Sequence, residues 1–309
     1  MNEADTGAPP PQSTRLSVLI PFAIVTLIWG STWLVIKDQL GVVPPSWSVA
    51  YRFLVGGVAM LIYATIRRER IALDARGWAF AAGLALFQFC LNFNFVYRAE
   101  SYITSGLVAV IFALLLVPNA VLGRIFLGQR LGRQLLAGSA VAMAGVALLF
   151  VHEARTGAGG LHMAMAGIGF TLAGVMSAST ANIMQGTGTA KRYPMAVMLG
   201  IGMLIGAAFD AALAWSLTGP PVIELRPAYL LGVLYLGVIA SAVAFTLYFG
   251  VLRIIGPAKA AYSGVIVPVI AMLLSTIFEG YRWSLLAGAG AVLAMIGLVI
   301  ALKARRPNR

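Results

Sequence analysis

The sequence predicts an all-α integral membrane protein, with ten transmembrane helices in two inverted five-helix repeats and both termini cytoplasmic. Three observations carry this: long apolar runs recur along the chain, basic residues collect on alternate loops, and the second half repeats the first at an offset of 150 residues. Of 309 residues, 60% are hydrophobic and 10% charged, with a mean hydropathy of +0.91, outside the range of soluble domains. A bilayer core about 30 Å thick needs roughly 20 apolar residues per helix, so ten spans use about 200 residues and leave short loops.

A window of about 19 residues places spans at 16–36, 47–66, 77–97, 102–123 and 134–151, then at 163–187, 194–217, 228–250, 257–278 and 284–303. The runs are continuous and lack the alternation of a barrel strand. Residues 1–15, polar and carrying Pro9, Pro10 and Pro11, read as a disordered cytoplasmic tail. They lack the basic start and small-residue cleavage site of a secretory signal. Residues 16–152 form the first repeat, 163–303 the second and 304–309 a basic tail.

Charge sets the orientation. Of 22 Lys and Arg, sixteen fall on the termini and even-numbered loops, including Arg67, Arg68, Arg70, Arg76, Arg124, Lys191 and Lys303. Five, Lys37, Arg98, Arg155, Arg226 and Arg282, fall one to each odd-numbered loop, and Arg52 lies within span two. This excess is the positive-inside pattern. The net charge of +12 is therefore an orientation signal, and no nucleic-acid partner is expected. A single cysteine, Cys90, excludes an internal disulfide, and with only His152 and His162 beside it neither a metal site nor a cofactor is expected.

At the offset of 150, Leu135-Leu136-Ala137-Gly138 align with Leu285-Leu286-Ala287-Gly288, Val117-Pro118 with Val267-Pro268, and Gly106 with Gly256. Five spans per half is an odd number, so matching helices cross in opposite directions, the architecture that supports alternating access around a midplane site.

Trp29-Gly30, Tyr97-Arg98-Ala99, Pro118, Phe126-Leu127-Gly128-Gln129-Arg130-Leu131 and the glycine-rich fifth span, followed by Gly256, Pro268, Glu279, Trp283 and Gly288, carry a resemblance over residues 16–303. In their order and spacing they resemble the ten-helix EamA-type branch of the drug/metabolite transporter superfamily, and within it the YddG-type bacterial exporters of aromatic and other amino acids. The resemblance implies an exporter in the bacterial inner membrane. The chain departs from the family pattern at Gln129, where an acidic residue is usual, so no role is assigned to that carboxylate.

Taken in order, the spans differ in what they place in the membrane. Span one offers Trp29 and Trp33, four apart on one face, and span three offers Gln88 and Asn92 with the same spacing. Span six carries Ser177, Thr180 and Asn182, span eight Ser241, Thr246 and Tyr248, and span nine Tyr262 and Ser263 ahead of Pro268. Spans two, five, seven and ten carry far fewer polar groups. Any one of these residues can simply bond a neighbouring helix, but their concentration in five spans favours a shared, mostly apolar cavity. Trp29, Trp33 and Tyr262 would meet the side chain or ammonium of a zwitterion, and Gln88, Asn92 and Ser177 its carboxylate. Thr180, Ser241 and Tyr248 complete the expected set.

Ionisable residues within a span cost about 2.5–3.5 kcal/mol on insertion scales. Arg52 sits near the outer end of span two and is expected to snorkel to the headgroups, and Asp210 to be interfacial. The deep positions are expected to be neutral, which weighs against phosphate binding and a proton relay and favours facilitated movement. Pro118 and Pro268, at matching positions, are expected to act as hinges, and Gly138 with Ala142 and Gly202 with Gly206 to allow close packing. No metalloprotease motif, nucleophile elbow or pair of buried carboxylates supports an enzyme, and no catalytic residue is assigned. A channel is the second rival, and an exporter of drugs or other metabolites the alternative among carriers. A ten-helix bundle can enclose its own cavity, so a monomer suffices.

Overall fold

The computed structural model describes residues 12–128, 132–156, 160–255 and 263–302. Among them every regular element is a helix: α1 (Gln12–Asp38), α2 (Pro45–Ile66), α5 (Arg133–Thr156), α6 (Gly160–Gln185), α7 (Met195–Thr218), α9 (Ser263–Phe278) and α10 (Leu285–Leu302) are each of one kind. Three others change pitch midway. α3 runs through Ala75–Leu84, Ala85–Leu91 and Asn92–Glu100, and α8 through Pro227–Leu234, Tyr235–Val243 and Ala244–Ile255, each with a π-helical middle stretch. α4 runs through Ser105–Phe112, Ala113–Leu115 and Leu116–Leu127, its middle stretch a 3-10 turn. Eight helices have the length and composition to cross a membrane, and shorter apolar stretches cover Ile266–Phe278 and Leu285–Ala301.

Over the described residues the predicted spans and the observed helices agree within a few residues, and the predicted start of span nine, 257–262, lies outside them. α1 begins at Gln12, inside the segment expected as a disordered tail. Residues 1–11, 303–309 and Tyr262 lie outside the described residues.

Most of the larger helix pairings obey a rule. α5 packs along α10, α2 along α7 and α4 along α9, while α3 lies on α6 as α8 lies on α1, and α4 on α6 as α9 lies on α1. Each of these pairings maps onto itself or onto another when helix numbers shift by five. The two π-helical stretches begin at Ala85 and Tyr235, 150 residues apart, so the backbone irregularity has the same spacing as the sequence repeat.

The α5–α10 seam shows what joins such helices. Lipid is as apolar as leucine, so association rests on close packing rather than on burial from water. Cβ atoms built on Gly138, Gly145 and Gly297 would lie 2.3, 2.3 and 2.2 Å from the backbone nitrogens of Ala301, Ala294 and Ala142. The two backbones are in contact, and any side chain there must push them apart.

On the loop between α2 and α3, Asp74 accepts from Gly77 N at 2.7 Å and from the Tyr193 hydroxyl, joining the 67–74 and 186–194 loops. The Tyr193 hydrogen bond, and then the Gly77 amide, hold the Asp74 carboxyl below its ordinary range.

The seam and the loop contact can each be tested by melting. Gly297→Ala should cost about 1–3 kcal/mol and lower Tm in detergent, while Gly169→Ala, where an added Cβ meets nothing within 4 Å, should leave Tm unchanged or raised. Equal Tm values for both variants would contradict the seam. A carboxyl shifted downward stabilises the fold above its unfolded-state value and loses that contribution as pH falls through the folded one. Asp74→Asn should therefore lower Tm at neutral pH and converge with the wild type in acid, as a pH series of melting curves would read.

Candidate functional site

The interior left between the outer seams holds a cavity of about 150 Å³, the size that accommodates a benzene ring. α1, α3, α4, α6, α8 and α9 line it, and α2 contributes Arg52, whereas α5, α7 and α10 contribute nothing. Its lining runs from Ile36, Arg52 and Val96 to Asn119, Asn182, Tyr248 and Gly264, over much of the length of the bundle.

Five of the predicted site residues meet there: Trp29, Trp33, Gln88, Asn92 and Tyr248. Trp29 packs on Tyr248 with ring centroids 4.8 Å apart and edge-on against Phe245 at 5.5 Å, and its indole N–H donates to Ala240 O at 3.3 Å. Trp33 lies 5.7 Å from Phe112, with its indole N–H buried and unpartnered. These contacts make two aromatic groups on the cavity, Trp29 with Tyr248 and Phe245, and Trp33 with Phe112. Gln88 and Asn92 line the cavity from α3, and Asn92 also donates back to Gln88 O at 3.3 Å.

Three expected residues lie elsewhere. Ala178 and Asn182 are the α6 residues on the cavity, one turn apart on a single face, so Ser177 and Thr180 point away from it. Thr180 bonds back to Met176 O at 3.0 Å. Ser241 is fully buried behind the lining. In the π-helical stretch its hydroxyl donates to Leu236 O, five residues back, at 2.7 Å and accepts from Arg52 Nε at 3.0 Å. Of the hinge candidates, Pro268 lines the cavity, and Pro118 comes just after the 3-10 turn of α4, where its missing N–H leaves Leu114 O without the usual helical donor.

Two expectations about charge are corrected. Arg52 does not snorkel: it is 1% exposed, among the largest fully buried side chains. α2 and α8 cross here backbone to backbone, since a Cβ on Gly237 would lie 2.8 Å from Arg52 O and one on Gly56 2.9 Å from Gly237 O. That approach covers the guanidinium, whose Cζ stands 4.3 Å from the Phe93 ring centroid and 5.4 Å from that of Phe53. Nor is Asp210 interfacial. It is 0% exposed and accepts from Asn94 Nδ2 at 2.7 Å. Glu100 is likewise 0% exposed, with both carboxylate oxygens unpartnered among the described residues. The interior is therefore not neutral. Hydropathy places a residue in depth without saying which face of the helix it occupies, and so hides these charges.

One end of the bundle is sealed. Tyr97 Oη donates to Gln39 Oε1 at 2.9 Å, Lys37 Nζ to Glu100 O, and Ser105 N to Glu279 Oε2 at 3.1 Å, with the Ser105 hydroxyl on Glu279 Oε1. Ser46 donates to Asn94 at 2.5 Å, Arg98 Nη2 to Ser46 at 3.2 Å, and Ser48 pairs with Tyr229 at 2.9 Å. Outside these, Arg226 bridges Asp38 at 3.1 Å. At the opposite end the cross-helix polar ties among the described residues are sparser, with Asn182 to Asn119 at 3.4 Å next to the cavity.

Comparison with known proteins agrees with this architecture. The profile of the EamA-like transporter family matches residues 16–151 and again 165–303. Protein PagO of Salmonella typhimurium is 24% identical over 294 residues, 94% of each chain. A probable amino-acid metabolite efflux pump of the same organism is 25% identical over 298 residues, 90% of this chain and 92% of that one. The uncharacterized inner membrane transporter YedA of Escherichia coli is 26% identical over 252 residues, 81% and 79% of the two chains. A solved crystal structure superposes with a TM-score of 0.68 at 21% identity, covering 95% of this chain and all of the other, and so shares the fold. With two matches of one transporter family spanning nearly the whole chain, on a bundle of apolar helices around a polar-studded cavity, this multi-pass protein of the bacterial inner membrane belongs to the EamA-like transporter family.

Proposed function

We propose that the protein exports aromatic and other neutral amino acids with broad specificity, by alternating access through the central cavity, as the YddG-type exporters it resembles do. The observation that carries this reading is the cavity itself: the aromatic rings of Trp29, Trp33, Phe112 and Tyr248 line it together with a few polar groups, chiefly Gln88, Asn92 and Arg52. Such a surface suits a small solute with one apolar end and one polar end. The probable amino-acid metabolite efflux pump among its relatives supports the same substrate class.

The orientation rests on the basic residues. With the even-numbered loops and both termini cytoplasmic, the sealed end faces outward and the cavity extends toward the cytoplasmic half. This is the geometry of a carrier that has yet to release its solute. Release requires the Tyr97–Gln39, Lys37–Glu100 and Ser105–Glu279 contacts to part while the opposite end closes. The helix pairings related by a shift of five support an inverted repeat, in which a matching closure on the cytoplasmic side uses the equivalent helices. Pro118 and Pro268 would be the points where α4 and α9 bend, and one chain would enclose the whole path.

A second reading within carriers, export of other metabolites driven by a proton gradient, draws on the buried carboxylates Glu100 and Asp210. Facilitated movement needs neither to titrate.

In proteoliposomes holding the purified protein, phenylalanine, threonine and methionine should show saturable flux with exchange across the membrane. Flux no greater than in empty vesicles would contradict the amino-acid reading, and flux that rises steeply with an imposed pH gradient would favour the second. Pro268→Ala should slow exchange severalfold at an unchanged Tm, whereas wild-type exchange would leave Pro268 a purely structural role.

A further inference from the structure

We propose that Arg52 anchors a carboxylate of the transported solute, so that the substrates are monocarboxylates with a small apolar or aromatic body. The proposal deepens the reading above and rests on the cavity being the transport site. It starts from an imbalance of charge. Among the described residues Arg52 alone of those lining the cavity carries a full charge, and no carboxylate among them stands within 4.0 Å of it. Glu100 acts on it electrostatically and the Tyr97 side chain stands within hydrogen-bonding reach, and its other direct contacts are the neutral Ser241 hydroxyl and the faces of Phe93 and Phe53.

A guanidinium has five N–H donors in a planar fork that matches a carboxylate. Here Nε is used by Ser241, while Nη1 is buried with no partner among the described residues. A tie between α2 and α8 needs only the one bond to Ser241, which a neutral donor would supply without burying a charge. Burying a cation with a donor unsatisfied is costly unless an anion joins it, and the adjoining void is where one can arrive. Two neutral groups accompany it: the Trp33 indole N–H is unpartnered, and Gln88, on the cavity, has no side-chain hydrogen bond among the described residues. In the same cavity, the Trp29 and Tyr248 rings suit an apolar body. A phosphate dianion would call for more positive charge than one arginine, and a cavity of about 150 Å³ limits the size of the body.

The test uses the full-length protein in detergent and four probes: phenylalanine, phenylpropionate without the ammonium group, and phenethylamine and phenylalanine amide without the carboxylate. The rise of Tm with ligand concentration gives each affinity. In the wild type, phenylalanine and phenylpropionate should bind at least about tenfold more tightly than the two probes lacking a carboxylate. Arg52→Gln and Arg52→Met should lose that preference while melting, without ligand, at or above the wild-type temperature, and Arg52→Lys should keep part of it. A wild type that binds phenethylamine as well as phenylalanine, or an Arg52→Gln protein with its carboxylate preference intact, would overturn the proposal. The wild-type comparison decides even if a variant fails to fold. Binding of phenylpropionate but not phenylalanine would sink the amino-acid reading and leave Arg52 in its role, equal binding of phenylalanine and phenethylamine would do the reverse, and no binding by any probe would count against both.

Discussion

Backbone-to-backbone contact between helices that carry glycine at their crossing points is the constraint on which this bundle depends. In lipid there is no hydrophobic drive to bring helices together, and the α5–α10 seam answers with Gly138, Gly145 and Gly297 pressed against the facing main chain. The α2–α8 crossing at Gly56 and Gly237 repeats the device nearer the centre. The outer seams occupy α5, α7 and α10, which therefore never reach the cavity, and the remaining helices are left to enclose it.

The inner crossing also creates the chemistry. A close approach of α2 and α8 draws Arg52 away from the headgroups and sets it against Ser241, whose own hydrogen bond to Leu236 O depends on the π-helical winding of α8. A π-turn adds a residue without adding a helical turn, so it rotates the C-terminal part of the helix relative to the N-terminal part. The same winding at Ala85–Leu91 in α3 precedes Asn92 and carries Gln88, both on the cavity, whereas the stretch in α8 lies just before the lining residues Phe245 and Tyr248. At the sealed end, polar groups from α1, α3, α4 and the 279–284 loop tie the helices to one another through side chains, contacts that can part without breaking a backbone ladder.

Much of this is legible in the sequence. The spans, the repeat offset and the pairs Trp29/Trp33 and Gln88/Asn92 come from hydropathy and from spacing by four, which survives folding because an α-helix keeps its period. Ser177, Thr180 and Ser241 escape such reasoning for a related cause: span six is polar on several faces, and only contact with α3 and α4 selects the one that bears Ala178 and Asn182. For Arg52, Asp210 and Glu100 the sequence offers depth alone. Depth assigns Arg52 and Asp210 to the interface and leaves Glu100 unremarked, whereas neighbouring helices bury all three, and no local pattern announces a partner such as Asn94, 116 positions from Asp210. The π-turns leave no trace in composition, so the rotation they impose on Ser241 is invisible until the chain is folded.

If the cavity serves transport, the sealed end must open as the other closes. Electron–electron distances between spin labels test this directly, with one pair at Val42 and Tyr102 on the sealed end and a second at Ile125 and Gly188 on the other; the native Cys90 is buried. Alternating access requires a transported amino acid to add a longer distance at the first pair together with a shorter one at the second. Distributions at both pairs that stay fixed while the protein transports would contradict it.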